Sequence, residues 1–225
     1  MMKYFNNYHR INTSDKIEHD SLYLLEKTLN GYAGYDVVIN NTKQTKVLMY
    51  QRYDSDGESM KVIGRVEDIE RGNLIEHDDN VWLVVTKPED NRIYRKAQIH
   101  LCSTTFPIKD ADQEVVVGYD RLNRPIYETI KGQIEYVPCL VEMNNASVAI
   151  ADSNRPINNL DNKVVVTIPY RESPSIAHDA TFHLYDMNYR IIRIDPSKSI
   201  NGVGILRITG EMTGRYEGDD SNGQP

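Results

Sequence analysis

Cysteine is scarce. Cys102 and Cys139 are the only two in 225 residues, and each lies in an apolar, strand-like stretch, Ile99-His100-Leu101-Cys102 and Val137-Pro138-Cys139-Leu140-Val141. One pair cannot form the framework of a disulfide-dense scaffold, and buried free thiols in a reducing compartment are the simpler reading. Long apolar runs are missing as well. The longest are strand-sized, such as Val115-Val116-Val117 and Val164-Val165-Val166, far from the ~18 residues that a membrane helix needs. Met1 to Asn7 lack the apolar core of a secretory signal, so synthesis in a cytoplasm is expected, and the sequons at Asn12, Asn40 and Asn145 carry little meaning. Basic residues are the minority, 26 Lys and Arg against 33 Asp and Glu, for a net charge of −7. That balance argues against generic nucleic-acid binding, which needs a basic face.

Local catalytic and metal signatures are equally sparse. His9, His19, His77, His100, His178 and His183 include no His-x-x-x-His or His-Glu-x-x-His spacing, so no zinc-enzyme signature is present. His100 and Cys102 share a strand face but make only two of the four ligands of a tetrahedral site. Asp54-Ser55-Asp56-Gly57-Glu58-Ser59 carries its glycine fourth, whereas a calcium loop places it sixth, so a charged hairpin tip is the better reading. Gly202-Val203-Gly204 lacks the third glycine of a dinucleotide fingerprint, and neither a P-loop nor a Gly-x-Ser-x-Gly elbow occurs. The expectation is no catalytic, cofactor-binding or metal-binding residue.

What is present is β chemistry. Hydrophobic residues make up 40% of the chain, and a chain of this length can bury roughly 70% of its unfolded surface, enough for a core without staples. Only Asp15 to Leu29 predicts a helix: Ile17, Leu22, Leu25 and Leu29 form a stripe, Asp15 with Glu18 resembles a capping box, and Gly31 supplies a stop. Strands are expected at 36–39, 45–53, 61–66, 74–76, 81–86 and 97–102, then at 114–119, 125–130, 133–142, 147–150, 164–170, 180–185, 189–194 and 202–209, with turn residues between them. The patternless stretch Thr105 to Asp112 marks a boundary. The predicted organisation is an N-terminal arm and helix (1–34), a first β domain (35–107), a second β domain (108–214) and an acidic tail (215–225). The fold class is mainly β, with two small barrel- or sandwich-like domains.

Residues 69–101 align without a gap on 176–208 at an offset of 107. Ile75 meets Phe182, Trp82 meets Tyr189, and Val84 meets Ile191. Two small barrels, each plugged by one aromatic, would give this match; so would two unrelated meanders, since strands share a period of two.

The segments Ile69-Glu70-Arg71-Gly72-Asn73-Leu74-Ile75 and Asn80-Val81-Trp82-Leu83-Val84 resemble a pattern of small structural proteins in tailed bacteriophages of Gram-positive hosts. Thr167-Ile168-Pro169-Tyr170, Phe182 and Tyr189 to Asp195 look like a second half of the same pattern, as does Val137-Pro138-Cys139, although Thr181 stands where the pattern has Arg. The resemblance implies a non-enzymatic neck, or head-completion, protein that joins portal and tail as a homo-oligomeric ring on the virion and lets DNA pass without recognising it, with no membrane involvement. Candidate subunit contacts are Tyr4, Phe5 and Tyr8 in the arm, Asp54, Asp56 and Glu58 in one hairpin, and Lys87, Glu89 and Asn91 in another. The 15 tyrosines suit interfaces with one wet edge. A host-surface or carbohydrate-binding module and an enzyme with a dispersed site remain as alternatives.

Overall fold

Alternating apolar residues over short runs make strands that bury one face. A computed structural model of the chain describes residues 12–51, 58–111, 113–119, 121–122, 124–143 and 162–215. It contains one helix and sixteen strands among the described residues, divided into two units, 1–101 and 102–225.

The first unit opens with α1 (Thr13–Leu29). The capping residue is Asn12, not the expected Asp15: its side chain accepts from Ser14 N at 3.3 Å. A short amide side chain one residue before the helix reaches the first free N–H groups, so α1 begins two residues earlier than the hydrophobic stripe suggests. Leu25 and Leu29 are its buried anchors.

Seven strands follow: β1 (Tyr35–Ile39), β2 (Lys43–Gln51), β3 (Ser59–Gly64), β4 (Leu74–His77), β5 (Asn80–Val84), β6 (Glu89–Asp90) and β7 (Arg95–Leu101). Every pairing is antiparallel, and the order β4-β5-β7-β3-β2-β1 closes on itself because β1 also pairs with β4. The result is a closed six-stranded barrel with β6 attached to β7. Its core holds Val37, Ile39, Val47, Val62, Ile69, Ile75, Trp82, Val84, Ala97 and Ile99. Gly64 sits where a Cβ would meet Ile69 Cγ1 at 2.9 Å, so that strand end must be bare for Ile69 to fill the barrel.

The second unit holds β8 (Thr104–Lys109), β9 (Gln113–Tyr119), β10 (Pro125–Ile130), β11 (Ile134–Met143), β12 (Lys163–Pro169), β13 (Thr181–Leu184), β14 (Met187–Asp195), β15 (Ser199–Ile200) and β16 (Val203–Arg215). Six of these run β13-β14-β16-β12-β11-β8, again all antiparallel, in a barrel-like sheet that stops short of closure. Phe106 and Phe182 from its two edge strands meet at 5.0 Å between ring centres, and Phe182 stacks on Tyr189 at 5.4 Å. Gly210 leaves room for that stack, since a Cβ there would lie 2.7 Å from Phe182 Cζ.

The two units share one topology. Strands β1 to β5 and β7 correspond in sequence order to β8, β11, β12, β13, β14 and β16, and β6 corresponds to β15. At the offset of 107 the likeness reaches single hydrogen bonds. The β4–β5 pairs Ile75↔Trp82 and Leu74↔Leu83 become Phe182↔Tyr189 and Thr181↔Arg190. Gly72 N donates to Val84 O at 2.9 Å, and Asp179 N donates to Ile191 O at 2.9 Å. Positive φ recurs at Gly72 and Asp179, and in the two-residue turns Asp78-Asp79 and Tyr185-Asp186. Period-two coincidence does not reproduce turn conformations, so the repeat is structural. The likeness fades in the last strand: Trp82 faces Leu101, but Tyr189 faces Met212 instead of Ile208. Register shifts at Asn188/Tyr189 and Ile191/Arg193 account for the slip.

Where the sequence shows no pattern, Thr105 to Asp112, the chain forms β8. Pro107 lacks a ladder donor but is tolerated because β8 is an edge strand, and Phe106 and Ile108 point inward around it. The units therefore divide between Leu101 and Cys102, ahead of the expected 107/108 change. The predicted strand at 147–150 lies outside the described residues, as does the acidic tail from 216 onward.

Candidate assembly surface

Strands β9 and β10 form a sheet of two, paired among the described residues only with each other. They grow from the connection between β8 and β11, the place where the first unit has the short turn Asn40 to Thr42 between β1 and β2. Asp110 N donates to Gln133 O at 3.0 Å at the base of the insertion. Gly132 is required there, because a Cβ would lie 2.0 Å from Asp110 O.

The hairpin carries its apolar residues outward. Leu122 is 71% exposed, Tyr119 65%, Tyr127 59% and Val117 56%, and Val115, Val116 and Ile126 are exposed as well. Val115 and Val116 are successive residues on a strand and so face opposite sides, which leaves both faces of the ribbon apolar. The ladder skips Val117 between the pairs Val116↔Tyr127 and Gly118↔Ile126, a bulge that strengthens the local twist. An isolated two-stranded ribbon is marginal in water, and a strand edge with apolar neighbours is a template for pairing.

The first unit offers a polar site. Asp68, buried with its side chain fully out of solvent, accepts hydrogen bonds from Lys43 Nζ and, at 2.7 Å, from Thr45 Oγ1. Arg65 donates to Thr45 Oγ1 at 2.8 Å and to both oxygens of Glu26 at 2.7 and 2.8 Å. The bidentate Arg65 pair holds the Glu26 carboxyl below the usual carboxylate range. These bonds fasten α1 to the barrel. Beside them a groove of about 820 Å³ is lined by Asp36, Lys46, Glu76, His77, Asp78 and Asp79, among others. Within it Lys46 lies 3.5 Å from Asp36, and His77 Nε2 lies 3.2 Å from Asp78. Among the described residues no group of three His, Cys, Asp or Glu could hold a metal ion. Cys102 and Cys139 belong to the second unit, where burial pushes both thiols up to about 12.

The sequence-predicted contacts scatter. Tyr4, Phe5, Tyr8, Asp54 and Asp56 lie outside the described residues. Glu58 and Lys87 are exposed, Glu58 lending its backbone oxygen to Leu101 N at 2.9 Å. Glu89 stands opposite Lys96 on β6. Asn91 Oδ1 caps its own turn, accepting from Ile93 N and Tyr94 N at 3.1 and 2.9 Å. Next to it the Asp90 carboxyl is held low by Arg92 N and Arg95. Sequence reasoning placed β9 and β10 as strands but did not single them out as a contact surface. The signal was available: apolar residues on consecutive positions, bounded by polar turns, with few strands to cover them.

Fold and surface together define a tandem-barrel β protein with a projecting apolar hairpin. Residues 4–101 match the YomX N-terminal domain and residues 69–211 the YomX C-terminal domain, and the chain belongs to the YomX family. It is 28% identical over 209 residues to the SPbeta prophage-derived uncharacterized protein YomX of Bacillus subtilis strain 168, covering 92% of this chain and 95% of that protein. The match supports a phage-derived protein. Solved structures of MrkH from K. pneumonia align at 9% identity over 93% of this chain and 90% of that one, with a TM-score of 0.21. The MrkH complex with c-di-GMP aligns at 8% identity over 91% and 88%, with a TM-score of 0.18. Such scores carry no argument about fold or function. No helix among the described residues is long and apolar enough to cross a membrane.

Proposed function

We propose that the chain is a non-enzymatic structural protein of the phage particle, acting at the neck between portal and tail. The observation that carries this reading is the β9–β10 hairpin, a ribbon that exposes Val115, Val116, Val117, Tyr119 and Tyr127 from a well-packed barrel-like unit. Apolar surface of this kind marks an interaction site. The exposed tyrosines Tyr23, Tyr35, Tyr50, Tyr136 and Tyr185 extend the supply of amphipathic contacts. The phage origin supports the virion as the place where the partners are met. A net charge of −7 suits a collar through which DNA slides without being gripped.

Mass spectrometry of purified particles tests the role directly. The chain should be present at a fixed copy number, and deleting its gene should leave filled heads beside free tails. Infectious particles that lack the polypeptide would refute it.

A further inference from the structure

We infer that the β9–β10 hairpin is the joint between copies of this chain, with β9 of one copy pairing antiparallel to β10 of the next. The inference rests on the assembly reading above and specifies its partner. Three observations select a second copy as the occupant.

The first is the pair of edges. Among the described residues both strands of the ribbon have one side without a ladder partner, and the two edges belong to strands of similar length, Gln113–Tyr119 and Pro125–Ile130. Within one hairpin β9 and β10 run antiparallel. A neighbour related by rotation about an axis along the strands brings its β10 beside this β9, again antiparallel. About six new ladder bonds form, a number set by the strand lengths and the alternation of inward and outward groups. The β9-to-β10 contact uses both edges of every copy through a single kind of contact, and a head-to-tail contact whose rotation closes makes a ring in which no edge is left.

The second is area. Val115, Val116, Val117, Tyr119, Leu122, Ile126 and Tyr127 are each at least 40% exposed. With about 150 to 220 Å² for residues from Val to Tyr, they offer roughly 700 Å². Divided between the two contacts that each copy makes in a head-to-tail ring, this is roughly 350 Å² a contact, a little under half of the roughly 800 Å² per partner of a standard interface, and the new ladder bonds add to it.

The third is Gly118. Its φ lies outside the left-handed region, and a Cβ built on it meets nothing within 4 Å. Neither its own backbone nor its own packing requires glycine. It is the sixth of the seven residues of β9, just past the bulge at Val117, and a bare strand position fits the close approach of another chain.

Sedimentation of the full-length protein from about 1 µM to 1 mM, with hydrogen exchange at both ends of the range, tests the pairing. The expected result is concentration-dependent growth beyond the dimer, with protection of amides in 113–119 and 125–130. Val117→Lys should weaken association about 30-fold or more, as loss of a central contact does. Gly118→Val, which suits a strand and has open space in the single chain, should weaken it comparably while leaving the melting temperature of the single chain unchanged. A chain that stays monomeric at 1 mM, growth that stops at the dimer, protection on another surface, or association that survives both substitutions would each overturn the inference. Particles that lack the chain would refute the virion role and leave the pairing standing; particles that hold it while the purified chain never self-associates would refute the pairing alone.

Discussion

Replacing Asp68 by alanine should cost the first barrel more than any surface change. The carboxylate is fully buried, accepts from Lys43 Nζ and Thr45 Oγ1, and lies 3.6 Å from Arg65 Nη1. Truncation leaves Lys43 facing a gap, while Arg65 keeps Glu26 and Thr45. The Lys43 side chain is half exposed and regains water when its partner is removed, so the cost is that of unmade hydrogen bonds, about 1–3 kcal/mol, against a total stability of about 5–15 kcal/mol for a domain. Urea unfolding of about 100 residues has a slope near 1–1.5 kcal/mol/M, so the midpoint should fall by about 1–2 M. Trp82, the sole tryptophan and 6% exposed, sits in that barrel and reports its transition alone by fluorescence. The companion variant Asp68→Leu with Lys43→Met removes both charges and should recover most of the loss, because apolar replacement of a whole pair is often neutral. A loss below about 1 kcal/mol for Asp68→Ala, or a double variant as weak as the single one, would refute the assignment of Asp68 as a barrel tie.

Other outcomes follow from the same geometry. Glu26 has a lowered pKa in the folded chain because of Arg65, so its contribution is full above the ordinary carboxylate value near 4.5 and is lost as pH falls through the folded value. The thermal gap between wild type and Glu26→Gln, worth about 0.5–1 kcal/mol for a half-exposed pair, should therefore be present at pH 7, shrink as pH falls below 4.5, and be gone once the carboxyl is protonated in the folded chain as well. Half-buried Cys102 and buried Cys139, with thiols pushed up to about 12, should resist a thiolate-specific reagent at pH 8 until the second unit unfolds; rapid labelling of the folded chain would contradict that shielding, most directly at Cys139. Tyr185→Asn with Asp186→Gly should stabilise the second unit by about 1 kcal/mol in thermal melts, since both positions hold positive φ in a two-residue hairpin turn.

Local chemistry was legible in the sequence wherever one strand face was buried and one wet. The β4–β5 and β13–β14 hairpins fell on the expected residues because their turns permit one register, and a slip would turn Trp82 or Tyr189 out of the core. The mainly β, two-unit architecture followed from the same alternation. Strand β8 stayed hidden because Pro107 breaks the pattern and edge position excuses it. The Asn12 cap was missed because Asp15 and Glu18 imitate a capping box inside a helix that had already begun. The contact surface was the least legible part. Consecutive apolar residues such as Val115 to Val117 read as the middle of a sheet, and only the topology shows that no sheet surrounds them.

The two barrels differ most at one connection. Where the first turns within three residues, Asn40 to Thr42, the second extends a ribbon of two strands and then resumes the same ladder. None of the ribbon's described side chains belongs to the buried core of its unit. Change in it is thus uncoupled from the demands of folding: the arm is free to be lengthened, recharged or fitted to a new neighbour while the body that carries it keeps its shape, and trimming it to a tight turn should leave a sound barrel with nothing to hold on with.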